Sequence, residues 1–222
     1  MKGRSDRRRP PDLSGKVFLV DDEASVRRAL TRLLRAAGLE VASYPSAEAL
    51  LAELSPAEKG PACVVADLQM PGLTGLGLQD EITRRGLGLP VLLITGHGDV
   101  PSTVRAMKGG AIDFLEKPVS ESALFEGIGR AFVRHRELND TRRQQELLTA
   151  RLERLTPRER EVFALVAAGL LNKQVGFELG TTEKTVKVHR ARVMDKMEAT
   201  SLADLVRMAG QLGLTAPPRR AP

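Results

Sequence analysis

At 222 residues the chain has room for two domains of ordinary size, each with a core of its own. Its 42% hydrophobic and 28% charged residues exclude wholesale disorder, and no apolar run approaches the roughly 20 residues that cross a bilayer. A formal charge of +6 suits a nucleic-acid partner without proving one.

Residues 1–13 read as a disordered basic arm carrying Arg4, Arg7, Arg8 and Arg9. The stretch from Met1 to Pro11 lacks the apolar segment of a signal peptide, so the chain is expected to be cytoplasmic and to keep away from membranes. From Lys16 onward, short β-rich runs alternate with helical stretches. Val17 to Val20, Glu40 to Tyr44, Cys63 to Ala66, Val91 to Ile94 and Ile112 to Leu115 read as five strands. The single cysteine, Cys63, lies in the apolar run Cys63-Val64-Val65 and reads as a small buried side chain with no disulfide partner. Between the strands, Ala24 to Ala37, Ala47 to Leu54, Leu76 to Arg84 and Val100 to Lys108 are helical. The first of these sets Val26, Leu30, Leu33 and Leu34 on one face and Arg27, Arg28, Arg32 and Arg35 on the other. Repeated βα units with mostly apolar strands predict a five-stranded, doubly wound parallel sheet covered on both faces.

Phe125, Ile128 and Phe132 mark a fifth helix, which closes a first domain over 14–136. Residues 137–154 are charged and Gln-rich and read as a helical linker. Leu148, Leu152 and Leu155 stand at i, i+4, i+7 along it, the spacing of a short self-pairing seam. Residues 155–214 are purely helical. Thr156-Pro157-Arg158-Glu159 is a capping box with proline at the first helical position. Asn172 is placed to cap a second helix ending at Gly180, and Thr182 to cap a third from Glu183 to Met197. A fourth runs from Ser201 to Gly210, before a tail over 215–222 with Arg219 and Arg220. Two short helices about Gly180-Thr181-Thr182 make a helix-turn-helix within a four-helix, all-α domain.

Ligands of such parallel sheets bind outside the carboxyl ends of the strands. Asp21 and Asp22 follow strand one, Asp67 strand three, Thr95-Gly96 strand four and Lys117-Pro118 strand five. These ends converge, so three carboxylates, a hydroxyl and an ammonium share one site. Clustered carboxylates call for a cation, and all-oxygen ligation suits Mg²⁺. A carboxylate beside Mg²⁺ can attack a phosphoryl group, with Lys117 balancing charge on the transferring oxygens and Gly96 leaving room for the group. Any one of these aspartates alone would also serve as a helix cap.

Val20-Asp21-Asp22-Glu23, Asp67-Leu68-Gln69-Met70-Pro71-Gly72, Ile94-Thr95-Gly96 and Asp113-Phe114-Leu115-Glu116-Lys117-Pro118 together resemble the flavodoxin-like receiver domains of two-component response regulators, the family of the chemotaxis regulator CheY. The resemblance implies that Asp67 is the phosphoacceptor. It implies Mg²⁺ on Asp22, Asp67 and the Gln69 backbone carbonyl, with Asp21 acting through water. It further implies that Thr95 bonds the phosphoryl group, that Lys117 pairs with it, that the Lys117–Pro118 bond is cis, and that Phe114 fills an aromatic switch position. The run from Ile94 to Pro101 narrows the likeness to FixJ-like regulators. Gln69 and His97, two residues beyond Asp67 and Thr95, would border the attacking water and set the phosphate lifetime.

The third helix of the second domain holds five cations, Lys184, Lys187, Arg190, Arg192 and Lys196, against Asp195. Val186, Val193 and Met197 should pack inward, leaving Lys184, Lys187, Val188 and Ala191 outward. Charge alone fits either a solvated helix or one that enters the major groove. Leu155 to Val162, Asn172 to Val175 and Lys184 to Arg190 resemble a LuxR-type DNA-binding domain. That likeness implies that Lys187, Val188 and Ala191 face bases while Lys184 and Arg192 meet phosphate. Gly176 departs from it, since alanine is usual there, and a mid-helix glycine costs roughly 0.5–1 kcal/mol.

The combined reading is a transcription regulator and not an enzyme. A sensor histidine kinase phosphorylates Asp67, the receiver dimerises through a surface that includes Val104 and Lys108, and the dimer binds a roughly two-fold DNA site, with RNA polymerase a further partner. Two alternatives stay open on the residues alone. One is a DNA-binding regulator independent of phosphorylation. The other is a Mg²⁺-dependent phosphotransferase, although such enzymes usually carry a second aspartate where Gln69 stands.

Overall fold

In the computed structural model, residues 13–55, 60–96 and 100–214 are described. Readings placed on Arg4, Arg7, Arg8, Arg9, His97, Arg219 and Arg220 lie outside the described residues. The chain forms two units that divide between Asn139 and Asp140.

In the first unit β1 (Lys16–Val20), β2 (Glu40–Tyr44), β3 (Ala62–Asp67), β4 (Val91–Thr95) and β5 (Asp113–Glu116) form one parallel sheet in the order β2-β1-β3-β4-β5. The winding direction reverses between β1 and β3, which opens a crevice at their carboxyl ends. β3 is longer than its apolar run suggests, so Asp67 ends the strand rather than following it. β5 is shifted by one residue, because Leu92 pairs with Asp113 and Thr95 with Glu116.

Side chains alternate between two cores. Phe18, Val20, Val64 and Ala66 point to one face, under α2 (Ala47–Glu53), α3 (Gly75–Arg84) and α4 (Val100–Lys108). Val17, Leu19, Cys63 and Val65 point to the other, under α1 (Ala24–Ala36) and the first part of α5 (Glu121–Glu153). Strands buried on both faces are why these sequences read as continuous apolar runs.

The second unit contains the last turns of α5 with α6 (Pro157–Ala167), α7 (Asn172–Glu178), α8 (Glu183–Met197) and α9 (Leu202–Gln211). Thr156, Thr182 and Ser201 each accept an N–H at their helix start, and Glu159 completes the capping box. Leu148 and Leu155 are buried in this unit's core with Leu152 packed beside them. The leucine stripe therefore serves that core and is not a free self-pairing seam; one apolar helix face has the same spacing in both roles. Asn172 is also not the cap of α7. Leu171 holds that position, its N–H donating to Gln174 Oε1 at 2.8 Å, while Asn172 Oδ1 accepts from Arg190 Nη1 at 3.2 Å. At Gly176 a Cβ would lie 2.9 Å from the Thr181 carbonyl oxygen. The glycine thus lets the turn close tightly on α7.

Candidate metal centre and nucleic-acid interface

The crevice at the ends of β1 and β3 gathers the acidic residues. Asp21, Asp22 and Asp67 each offer an oxygen within 4.8 Å of the others. Asp21 and Asp67 are buried, whereas Asp22 is exposed. Backbone N–H groups orient two of the carboxylates: Glu23 N donates to Asp21 Oδ1 at 2.8 Å and Gln69 N to Asp67 Oδ1 at 3.2 Å. Lys117 arrives from the end of β5, held by its N–H to the Thr95 carbonyl at 2.7 Å. Its Nζ lies 2.7 Å from Asp67 Oδ2 and 3.1 Å from Asp21 Oδ2. The Lys117–Pro118 peptide is cis.

Burial pushes the Asp21 carboxyl above its ordinary pKa, against the bond from Lys117. Burial also works to lower the Lys117 ammonium, but its bonds to Asp67 and Asp21 together outweigh that and hold it above the usual lysine value. Three carboxyl groups here face one ammonium. Oxygen donors with an excess of negative charge fit a hard divalent cation such as Mg²⁺.

Around this point stand the other residues read from sequence. Thr95 is fully buried at the end of β4, and a Cβ on the exposed Gly96 would meet nothing within 4 Å. Gln69 is exposed on the loop after β3. Phe114 pairs with Leu93 across β5 and β4 and is partly buried against the core under α4. On α4, Val104 and Lys108 are both exposed, and Met107, which the sequence reading passed over, is exposed with them.

In the second unit Val186, Val193 and Met197 are buried in the core beneath α8. Lys184, Lys187, Val188, Ala191 and Arg192 are all exposed. Not all five cations of α8 are equal. Lys196 Nζ is 2.6 Å from the buried Glu159 Oε2, Arg190 is bonded to Asn172, and Lys187 lies 3.1 Å from Glu183. Among the described residues, Lys184 and Arg192 form no ion pair.

A family profile described as the response regulator receiver domain matches residues 17–128. A second, described as bacterial regulatory proteins of the luxR family, matches residues 153–209. Nodulation protein W of Bradyrhizobium diazoefficiens is 48% identical over 200 residues, covering 90% of this chain and 87% of the relative. The transcriptional regulatory protein FixJ of Azorhizobium caulinodans is 42% identical over 193 residues, covering 87% of this chain and 90% of the relative. The chain belongs to the two-component response regulators of the FixJ type.

This family consists of transcriptional regulators with a DNA-binding domain and not of enzymes. Among solved structures, the response regulator StyR is 44% identical with a TM-score of 0.76 and covers 89% of this chain and 98% of its own. Full-length FixJ from B. japonicum is 40% identical with a TM-score of 0.54, covering 90% of this chain and 97% of its own. The beryllofluoride-activated receiver-domain dimer of NtrC4 is 31% identical, with a TM-score of 0.50, over 54% of this chain and 98% of its own. A receiver joined to a LuxR-type domain implies a sensor kinase and DNA as partners. No helix among the described residues is long and apolar enough to cross a membrane.

Two contacts of the receiver carry no sequence signal. Arg27 Nη1 donates to the backbone carbonyls of Asp21 at 2.6 Å and Asp22 at 3.3 Å. Glu48 Oε1 accepts the Leu73 N–H at 2.9 Å. Both side chains bond main-chain groups of loops, and from sequence each is only a polar residue on a helix face.

Proposed function

We propose that this response regulator takes a phosphoryl group on Asp67 from a sensor histidine kinase, and that phosphorylation controls dimerisation and sequence-specific DNA binding to regulate transcription. The observation that carries the reading is the three-carboxylate cluster beside the Lys117 ammonium, in a chain that also has a LuxR-type domain. In the transfer an Asp67 carboxylate oxygen forms a bond to phosphorus as the phosphorus–nitrogen bond of a phosphohistidine breaks. Mg²⁺ would be held by Asp22, Asp67 and the Gln69 carbonyl, with Asp21 acting through water, and when bound it neutralises charge on the phosphoryl oxygens. Lys117 already lies against Asp67, so its ammonium is in place for the same oxygens. Gly96 leaves space for the group, and Thr95 would bond it by its hydroxyl.

Drawing Thr95 toward the phosphoryl group leaves room for Phe114 to turn inward and reshape the α4–β5 surface that carries Val104 and Lys108. The likeness to the beryllofluoride-activated NtrC4 dimer supports assembly of two receivers on activation. A two-fold dimer presents two α8 helices to a roughly palindromic site, so the half-sites reinforce one another. Lys187, Val188 and Ala191 would read bases and Lys184 and Arg192 hold phosphates. Contact with RNA polymerase would follow from the regulatory role.

The test is labelling by acetyl phosphate with Mg²⁺. Wild type should be labelled and Asp67→Asn should not, with an unchanged circular dichroism spectrum. Equal labelling would remove Asp67 from its role, and no labelling of wild type would favour a regulator that works without phosphate. On DNA, Lys187→Ala should relax base preference, whereas Arg192→Ala should weaken binding uniformly and lower the salt slope by about 1. Equal losses on operator and random DNA for Lys187→Ala would take it out of the base-reading set.

A further inference from the structure

The acidic pocket is built on two loops, and each is held from outside by one side chain. The turn after β1 carries Asp21 and Asp22, and Arg27 on α1 spans their two consecutive carbonyls. Both bonds leave one nitrogen, Nη1, whose N–H directions are fixed in the plane of the guanidinium, so together they constrain how the two peptide planes lie. Fixing those planes fixes where the two carboxylates leave the chain. The loop after β3 carries Gln69 and runs to Leu73, where Glu48 on α2 accepts the backbone N–H. That contact is close. At Gly72, which has φ of 76°, a Cβ would sit 2.7 Å from the same Glu48 oxygen. Glycine at this point is what allows the loop to lie down on the carboxylate.

We infer that Arg27 and Glu48 are positioning residues that pre-form the Mg²⁺ site, Arg27 by clipping the turn of Asp21 and Asp22 and Glu48 by clipping the loop of Gln69. The inference rests on the proposed reading of the pocket as a Mg²⁺ site. These bonds go to main-chain groups and not to the carboxylates. Arg27 acts on the backbone of Asp21 and Asp22 themselves and Glu48 on the loop four residues beyond Gln69, and outer groups of this kind typically change metal affinity by about 10- to 100-fold.

Charge separates this role from simple electrostatics. Removing the Arg27 cation would tighten binding of a dication if long-range charge were all that mattered. Loss of the clip does the opposite, because the two aspartates must then be ordered at the moment of binding. The two clips hold different loops, so their losses should multiply.

The experiment is a Mg²⁺ titration of the full-length, unphosphorylated protein followed by backbone amide shifts. Arg27→Met and Glu48→Ala should each bind Mg²⁺ roughly tenfold more weakly than wild type, and the double variant by about the product of the two factors. Arg27→Lys, which keeps the charge but has a shorter reach and no planar group to fix the donor directions, should also be weakened. It carries the test if Arg27→Met fails to fold. Arg32→Met, on the same helix, should match wild type. The Leu73 amide should lose hydrogen-exchange protection in Glu48→Ala. Unchanged or tighter Mg²⁺ binding by Arg27→Met and Arg27→Lys, at unchanged thermal stability without metal, would overturn the inference. Absence of any Mg²⁺ shift in wild type would instead sink the metal reading of the pocket, and is seen before a variant is made.

Discussion

Gln79 is 3% exposed on α3, and its Nε2 donates to the Ala106 carbonyl of α4 at 3.0 Å. Its Oε1 is buried with no hydrogen-bond partner among the described residues. Turning the amide over would set that oxygen against the Ala106 carbonyl, so the unpartnered atom is the lesser cost. Ala106 keeps a second donor, the Ala111 N–H at 3.0 Å, whatever stands at position 79. A buried unpartnered acceptor costs about 1–3 kcal/mol, and one hydrogen bond returns about 0.5–1.5 kcal/mol. Gln79→Met should therefore leave stability within about 1 kcal/mol of wild type. Urea unfolding measures this, and a loss well beyond that range would mean the Ala106 bond is worth more than an ordinary one. Gln79 also marks the limit of sequence at this scale. Asp67, Thr95 and Lys117 could be read because strand ends converge and their chemistry is distinctive. Gln79, Arg27 and Glu48 bond backbone groups, and nothing in their spacing announces it.

Among the elements, α8 is the one whose use of charge is least legible in the sequence. Five cations suggest a uniformly basic helix, yet Lys196 is drawn inward to Glu159, which is 2% exposed at the start of α6. The Lys196 bond, and after it the Thr156 N–H at 2.9 Å, hold the Glu159 carboxyl below its ordinary pKa despite burial. With a folded pKa below the unfolded one, the unfolded chain binds more protons as pH falls. The stabilisation is complete above the ordinary carboxyl value of 4.5 and is lost as pH drops through the lower folded value. Glu159→Gln should therefore melt lower at neutral pH but show a flatter decline of Tm on acidification, read by far-ultraviolet circular dichroism. A variant whose Tm falls with pH as steeply as wild type would assign the acid sensitivity elsewhere. Helix positions were otherwise well specified by caps, as Thr156 and Thr182 illustrate. Asn172 misled because asparagine serves as well for a bond between helices as for a cap. The leucines of α5 misled because a core-facing stripe and a pairing seam share one period.

For the whole molecule, the core side chains of the sheet unit span Val17 to Phe132 and those of the helical unit Leu148 to Ala209, with none in common. Heating should then give two calorimetric transitions. Mg²⁺ with beryllofluoride should raise only the one belonging to the sheet unit, by about 2.7 kcal/mol at 100 times the dissociation constant, and Asp67→Asn should abolish the rise. A single transition that moves as one would contradict two separate cores. The division into two units, the parallel sheet and the crevice were legible because strand and helix periods differ and change abruptly after Ser120. The loop contacts about the crevice were not, since they depend on residues far apart in sequence, as Glu48 and Leu73 are. One further property comes from the middle of the sheet. Cys63 is the chain's single cysteine, lies fully buried in β3, and has its thiol pushed up by that burial. An alkylating reagent can meet it only when the sheet comes apart, so the pace of modification counts openings of that unit and is blind to the other. The protein carries a native stopwatch on one half of itself, readable by mass spectrometry without a dye, a tag or a mutation.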